Sequence, residues 1–400
     1  MKTISTPLPQ KFSADSRKAL AEKLYHVSAA IREIVFRDGD SLEVRLDESE
    51  PETFVADKLE KIVRRFAEYD VQPAERILHS EHGCPGAALH DPTGELVGEG
   101  AITQLGDGLY ALTGIALDLF DYFDASFQKL GFEIGAKEYH FPTLIPIRAM
   151  QRIHYLTSRP EYLNFVSHLR QDLDAVDSFS SDARGMTEIA DLDGRAETDC
   201  INSVAVCLQA LHCFQERDLG RHPLVVGAVG RCMRYEPGTM YSLRRLREFT
   251  MREIVCMGGA SEVQEFRKRA FSRTTALLAE WGLRGHVATA NDIFLTKDFA
   301  PQSVFQKRFE LKYEFRADVD AAGDSLAIAS MNDHRDFLGK GFGVLAEDAP
   351  AYSACIGYGL ERCVYAFLAQ HGRARSNWPD AVARRVREGR SLTAAAPSSV

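Results

Sequence analysis

The segment Arg234-Tyr235-Glu236 leads through Arg245-Leu-Arg-Glu-Phe249 into a strand-like run that ends at Glu253. Far downstream, Gly357-Tyr-Gly-Leu-Glu-Arg362 opens a helix. Arginine presents a rigid fork of donors that fits phosphate oxygens, and charge-assisted bonds of this kind are strong. Phe249 adds a flat apolar face. Three arginines, a carboxylate and an aromatic ring point to a nucleotide, with phosphates on the arginines and the base on the ring.

Working outward, residues 223–235 and 245–257 read as paired strands, and residues 309–331 as a second pair. Between them runs a long helix, Ala260–Trp281, with basic residues in its middle. Residues 109–130 form an apolar helix carrying five Phe or Tyr residues. A strand is expected from Phe132 to His140, closed by Phe141-Pro142, and the last core helix at 359–370. Residues 147–175 read as irregular helix, 176–198 as a polar loop and 200–217 as helix. The pattern implies an α+β fold, a largely antiparallel sheet flanked by helices. No GxGxxG follows a strand and no GxxxxGK[ST] is present, so neither a dinucleotide fingerprint nor a P-loop is supported.

At the N-terminus, Leu20, Leu24, Val27, Ile31 and Ile34 recur at helical spacing and predict a helix over 13–37. A strand at 40–46 and a helix at 54–69 follow. The turn-rich stretch from Gly83-Cys-Pro-Gly to Gly100 sets a boundary near residue 95. The division is residues 1–95, a small α/β N-terminal extension of unknown role; 96–390, the catalytic domain; and 391–400, a disordered tail.

The chain has 400 residues and a net charge of −9. Its first hundred residues hold 13 Lys and Arg against 19 Asp and Glu. Such acidity argues against an RNA-gripping module. No apolar run is long enough to span a membrane, and the first 30 residues lack a secretory pattern, so a cytoplasmic location is expected. The eight cysteines, at 84, 200, 207, 213, 232, 256, 355 and 363, show no CxxC pair.

With these pieces in order, the chain resembles a class II aminoacyl-tRNA synthetase catalytic domain over about residues 105–375. Phe141-Pro142 resembles motif 1, which forms a dimer interface. Arg234-x-Glu236 with Arg245-x-x-x-Phe249 resembles motif 2, and Gly357–Arg362 resembles motif 3. More narrowly, it resembles the zinc-dependent archaeal-type seryl-tRNA synthetases. Closer still are their truncated homologues, the amino acid:[carrier protein] ligases. Cys207-Leu-Gln-Ala-Leu-His-Cys-Phe-Gln, Phe249-Thr-Met-Arg-Glu253 and Cys355 carry that narrower likeness.

The resemblance implies an adenylate-forming ligase. Such an enzyme activates a small amino acid with ATP and Mg2+, then loads it on the phosphopantetheine thiol of an acyl or peptidyl carrier protein. Arg234 would hold the α-phosphate and the carboxylate, and with Arg362 would be catalytic. Glu236 would contact the adenine amino group. Arg245 and Arg362 would take the outer phosphates. Phe249 would stack under adenine, with Arg362 near its other face. Cys207, Glu253 and Cys355 would hold one Zn2+ per chain and meet the substrate amine. Two thiolates and a carboxylate leave one tetrahedral position open for that amine. Asn332, in Ser330-Met-Asn-Asp-His334, would line the amino acid pocket. Cys213 is an alternative ligand to Cys207. Cys200, His212 and His334 are ligands by type alone. At the position of the synthetases' magnesium carboxylate stands Ala327, so Glu314 or Glu310 would serve.

Glycine is expected first and alanine second, with Met331 or Met233 narrowing the pocket. A homodimer is implied, with no membrane and no tRNA. Carrier docking would need a basic surface: Arg244–Arg247, the helix bearing Arg267, Lys268, Arg269 and Arg273, or residues 147–175. The alternative is a zinc-dependent seryl-tRNA synthetase charging tRNA. A catalytically idle paralogue would be expected to lose its phosphate arginines, and this chain keeps all three.

Overall fold

A computed structural model describes residues 2–37, 41–48, 50–69, 76–183, 196–236, 240, 242–290, 292, 306, 309–321 and 323–393. At the N-terminus, β1 (Lys2–Pro7), α1 (Ala14–Leu24), β2 (Ile31–Arg37), β3 (Ser41–Leu46) and α2 (Glu52–Tyr69) build an antiparallel sheet of order β1-β3-β2. Alternation on β3 turns Leu42, Val44 and Leu46 inward. Leu20 and Leu24 from α1, and Val55, Leu59 and Val63 from α2, meet them at helical spacing. The helix expected over 13–37 stops at Leu24. Ser13 caps its start by accepting from the Ser16 N–H. Ile31–Arg37 is a strand because Ile31, Ile34, Val35 and Phe36 suit a pleated surface and β3 offers a partner. This unit's core ends near Ala67.

β4 (Ile77–His82), which the sequence division assigns to the first 95 residues, forms the edge of the large sheet instead. After it come α3 (Thr93–Gly98), the hairpin β5 (Ile102–Gly106) and β6 (Leu109–Leu112), α4 (Gly114–Glu133) and β7 (Lys137–Tyr139). The region expected to be irregular contains β8 (Leu144–Pro146), α5 (Ile147–Arg152), α6 (Tyr155–Ser158), β9 (Phe165–Leu169), α7 (Leu173–Asp182) and β10 (Ala196–Asn202). The helix expected over 200–217 is α8 (Val206–Cys213), preceded by the end of β10.

Then follow β11 (Leu224–Met233), β12 (Glu248–Gly258), α9 (Ala260–Glu280), β13 (Arg284–Ala290), β14 (Lys312–Asp318) and β15 (Ser325–Arg335). The chain continues with α10 (Phe337–Phe342), β16 (Leu345–Ala346), β17 (Ala349–Pro350), β18 (Tyr352–Gly359), α11 (Leu360–His371) and α12 (Asp380–Thr393). α12 runs past residue 390, where a tail was expected; residues 394–400 lie outside the described residues.

The large sheet has the order β4-β13-β14-β15-β18-β12-β11-β7. Every neighbour pair is antiparallel except β11 with β7. Both faces are covered, so the central strands bury apolar side chains on both sides. Ile254 and Cys256 of β12 and Ala354, Ile356 and Tyr358 of β18 pack with α4, α9, α11 and α12. Val255, Met257 and Cys355 face the opposite way, toward α5, α8 and α10. Trp281, at the end of α9, is fully buried between Phe123 and Phe127 and donates to the Tyr122 hydroxyl at 3.1 Å. Gly282 follows it with φ +64°, the left-handed turn that ends a helix.

Trp281→Ala is expected to cost about 3–5 kcal/mol of stability, because α4 and α9 cannot collapse onto the vacated space. A shift in the urea unfolding midpoint measures it, and an unchanged midpoint would contradict this account of the core.

Candidate functional site

Three arginines converge where the β11–β12 hairpin meets the start of α11. The hairpin register sets Cys232 opposite Phe249, and the Arg234 N–H extends the ladder to the Arg247 carbonyl at 3.0 Å. Arg234 donates through Nε and Nη2 to the Val204 carbonyl at 3.1 and 2.9 Å. Its guanidinium lies 5.3 Å from the centre of the Phe249 ring, a cation–π distance. Arg245 holds Glu236 at 3.1 Å. Arg362, in the first turn of α11, donates to the carbonyls of Arg244 at 2.8 Å and Ala327 at 3.1 Å. Both oxygens of buried Glu361 accept from the Thr250 N–H, which ties α11 to β12.

The cluster carries more positive than negative charge. Burial, and then Arg245, push the Arg362 pKa down to about 10. Burial alone would raise Glu236, yet Arg245, Arg234 and Arg362 hold its carboxyl below the ordinary range. A buried cation whose pKa falls lacks a full complement of counter-charge. An anion bound here would supply it.

Next to the arginines, a second cluster lies on the α8 face of the sheet. The β12–β18 register sets Glu253 opposite Gly357, and the β15–β18 register sets Asn332 opposite Cys355. Buried Glu253 accepts from the Cys207 backbone N–H at 2.7 Å, which fixes the start of α8 on the sheet. Donor atoms of Cys207, His334 and Cys355 lie within 4.8 Å of one another. His334 Nε2 is 3.6 Å from Cys355 Sγ, and Asn332 Nδ2 is 3.8 Å from it. The thiol–thiol hydrogen bond with Cys207, then burial and Glu253, push the Cys355 thiol well up. The same bond lowers Cys207, but burial and Glu253 raise it overall. Two thiols that are hard to ionise beside a buried carboxylate suit a divalent metal, which would stabilise the thiolates.

The structure therefore brings Cys207, Glu253, Cys355 and Asn332 together. Cys213 and His212 sit at the far end of α8, where Cys213 is exposed and His212 bonds Gln215. Cys200 is on β10. His334 had no spacing signal; it enters through the β15 register.

Met331 is fully buried on the α9 and α11 face, so it cannot narrow a pocket beside the thiols. The Ala327 carbonyl serves Arg362. Glu310 pairs with Arg76, whereas Glu314 lies between Lys312 and Arg316. Of the basic helix, Arg267 is held by buried Asp333 at 3.1 Å, and Arg269 and Arg273 are held by Glu133. Arg244 pairs with Asp324.

The N-terminal unit reaches this site. Glu22, in the last turn of α1, pairs with Arg245 at 2.6 Å. Buried Lys23 donates to the Tyr162 hydroxyl at 3.0 Å and lies 3.8 Å from Glu161.

No protein-family profile matches the chain. It is 28% identical over 297 residues to amino acid–[acyl-carrier-protein] ligase 1 of Bradyrhizobium diazoefficiens, covering 73% of this chain and 88% of that protein. Ligase 2 of the same organism is 29% identical over 282 residues, covering 69% and 81%. The type-2 serine–tRNA ligase of Methanothermobacter thermautotrophicus is 26% identical over 312 residues, covering 74% and 60%. Among solved structures, the M. kandleri SerRS, in complex with A. aeolicus tRNASec, matches with a TM-score of 0.72 at 20% identity, over 97% of this chain and 77% of that one. This chain is a ligase of the class II aminoacyl-tRNA synthetase fold. The expected α+β architecture is thus the observed one. Among the ligase's described residues, no helix is long and apolar enough to cross a membrane.

One contact of the ligase titrates. Burial, and then Lys23, lower the His26 pKa from 6.5 to about 4. As pH falls, the unfolded chain therefore takes up this proton first. Stability is expected to decline between about pH 6.5 and 4, and His26→Gln to make that decline shallower by up to about one proton. Urea unfolding across this range checks it; parallel pH slopes in the two proteins would count against it.

Proposed function

We propose that this ligase activates a small amino acid as its adenylate and transfers it to the phosphopantetheine thiol of a carrier protein. The observation that carries the reading is the convergence of Arg234, Arg245 and Arg362 next to a thiol–carboxylate cluster. One cluster suits a triphosphate and the other suits an amino group, so the carboxylate between them would meet the α-phosphorus. The carrier protein is favoured by the two relatives named as acyl-carrier-protein ligases and by the acidity of the N-terminal residues.

In this reading the amino acid carboxylate attacks the α-phosphorus and pyrophosphate leaves. Little proton transfer is needed; orientation and neutralisation of charge supply the rate. Arg234, pinned by the Val204 carbonyl, keeps three donors for the α-phosphate and carboxylate. Arg245 and Arg362 take the outer phosphates, Glu236 the adenine amino group and Phe249 the adenine ring. Magnesium accompanies ATP, with Glu314 the nearer carboxylate. Cys207, Glu253 and Cys355 would hold zinc, which would supply a Lewis-acid position for the substrate's neutral amine. Asn332 borders the amino acid. The carrier thiol then attacks the mixed anhydride and AMP leaves. Glycine is the first substrate and alanine the second. A homodimer through the Phe141-Pro142 segment belongs to the same reading.

Amino acid-dependent ATP–pyrophosphate exchange tests this. Exchange with glycine or alanine, and about one zinc per chain, is the expected result. Exchange with serine alone would favour tRNA charging, the activity named for the type-2 serine–tRNA ligases. No exchange with any amino acid would refute the activation step.

The Glu22–Arg245 pair generates a second expectation. A triphosphate must compete with Glu22 for Arg245, so Glu22→Gln is expected to tighten ATP binding by roughly two- to fivefold, the scale of a partly buried ion pair. AMP, which lacks the outer phosphates, should bind both proteins equally. Calorimetric titration with each nucleotide measures the difference.

A further inference from the structure

The N-terminal unit closes an apolar core of its own, every member of which lies within residues 4–67. Its reach to the arginine cluster is polar. At the tip of α1, the consecutive residues Glu22 and Lys23 bring charges of opposite sign. Glu22 pairs with Arg245 through Nη2 at 2.6 Å, while Nη1 of the same guanidinium holds Glu236 at 3.1 Å. Lys23, buried at 6% exposure, donates to the Tyr162 hydroxyl at 3.0 Å and lies 3.8 Å from Glu161. Tyr162 is near enough to Arg234 and Arg245 to bear on the charge of both. His26, just past the helix, senses Glu236 and Arg245 as well. The Lys23 anchor is incompletely made. Neither oxygen of buried Glu161 accepts a hydrogen bond among the described residues. A buried acceptor without a donor costs free energy, so this contact holds α1 down weakly. A polar junction between bodies with separate cores is where relative motion is expected.

We propose that the tip of α1 is an autoinhibitory latch: the N-terminal unit closes the arginine cluster in the nucleotide-free ligase, and the outer phosphates of ATP release it by taking Arg245 from Glu22. This rests on the reading that Arg245 receives those phosphates. Glu22 is then the resting substitute for a phosphate oxygen, an anion lent by the chain itself. Once it is displaced, Lys23 and its poorly satisfied partner are left to hold the tip, and the unit lifts. Linkage makes the effect reciprocal: whatever loosens the latch strengthens ATP binding. Lys23 gives the sign that separates this from a simpler role. A lysine that only added positive charge beside a triphosphate would strengthen ATP binding, whereas a lysine that anchors a latch opposes it.

Amide hydrogen exchange and calorimetric ATP titration of the full chain, without amino acid, test the proposal. ATP is expected to speed exchange over Ala14–Leu24, and AMP, which has no outer phosphates, to leave it unchanged. Lys23→Met keeps the apolar stem of the side chain. It is expected to speed that exchange without nucleotide and to tighten ATP binding by roughly three- to tenfold, within the scale of one hydrogen bond to a charged group. Glu161→Gln, which removes the ion pair and keeps the shape, is expected to move both readings the same way. Weaker ATP binding by Lys23→Met, or slower α1 exchange with ATP, would overturn the latch and place Lys23 in the nucleotide site. ATP binding that leaves α1 exchange unchanged would overturn the latch and leave the Arg245 reading standing. No binding of ATP to any of the three proteins would overturn both.

Discussion

Strand β18 lies between β12 and β15, and the register of those two pairings governs what stands on the α8 face. Glu253 faces Gly357 across one ladder, where a Cβ on the glycine would come within 3.1 Å of the Met251 Sδ. Asn332 faces Cys355 across the other ladder. A slip of one residue in either pairing would send the polar side chains into the α9 and α11 core. That core is what forbids the slip: Ile356 and Tyr358 are fully buried there, and the Tyr358 ring stacks on Phe127 at 3.7 Å. Apolar packing on one face thus fixes polar geometry on the other.

The arginine cluster is held by a different device. Backbone carbonyls of Val204, Arg244 and Ala327 orient Arg234 and Arg362 without cancelling their charge. A carboxylate in each of those places would have stabilised the arginines and weakened their hold on an anion. Neutral acceptors leave the field available, at some cost in folding stability. By contrast Arg252, on the core side of the same strand, is fully neutralised by Asp124 and Glu138. Two buried arginines on one strand pair and its neighbouring loop thus have opposite duties, and their partners tell them apart.

Much of this was legible in the chain. The alternation over 223–257 and the helix at 260–281 gave the central hairpin and its cover, because long periodic segments express their burial directly. Arg234, Glu236, Arg245, Phe249 and Arg362 were legible through motif order, and the fold brings them to one place. The stretch 25–37 misled because Val27, Ile31 and Ile34 satisfy a helical period while their β-branched shape favours a strand; only the presence of β3 decides. Residue 95 misled as a boundary because turn-forming residues mark loops, and β4 had already joined the large sheet. His334 was not distinguishable, since its direction depends on a bulge that no short sequence pattern announces. Met331 was misplaced for a related reason: one residue separates the two faces of a strand.

The thiol cluster also constrains how the molecule comes into being. Cys207 and Glu253 are 46 positions apart, and His334 and Cys355 lie a further stretch downstream. None of these groups can meet until β12, β15 and β18 have paired and α8 has settled on them. Contacts of such long separation carry a heavy loop-closure entropy and form late. If this cluster holds a metal, as proposed, its capture by Cys207, Glu253 and Cys355 together would have to wait for the finished sheet. Such a metal would also slow the separation of β12 from β18, because it would tie Glu253 to Cys355 across that pair.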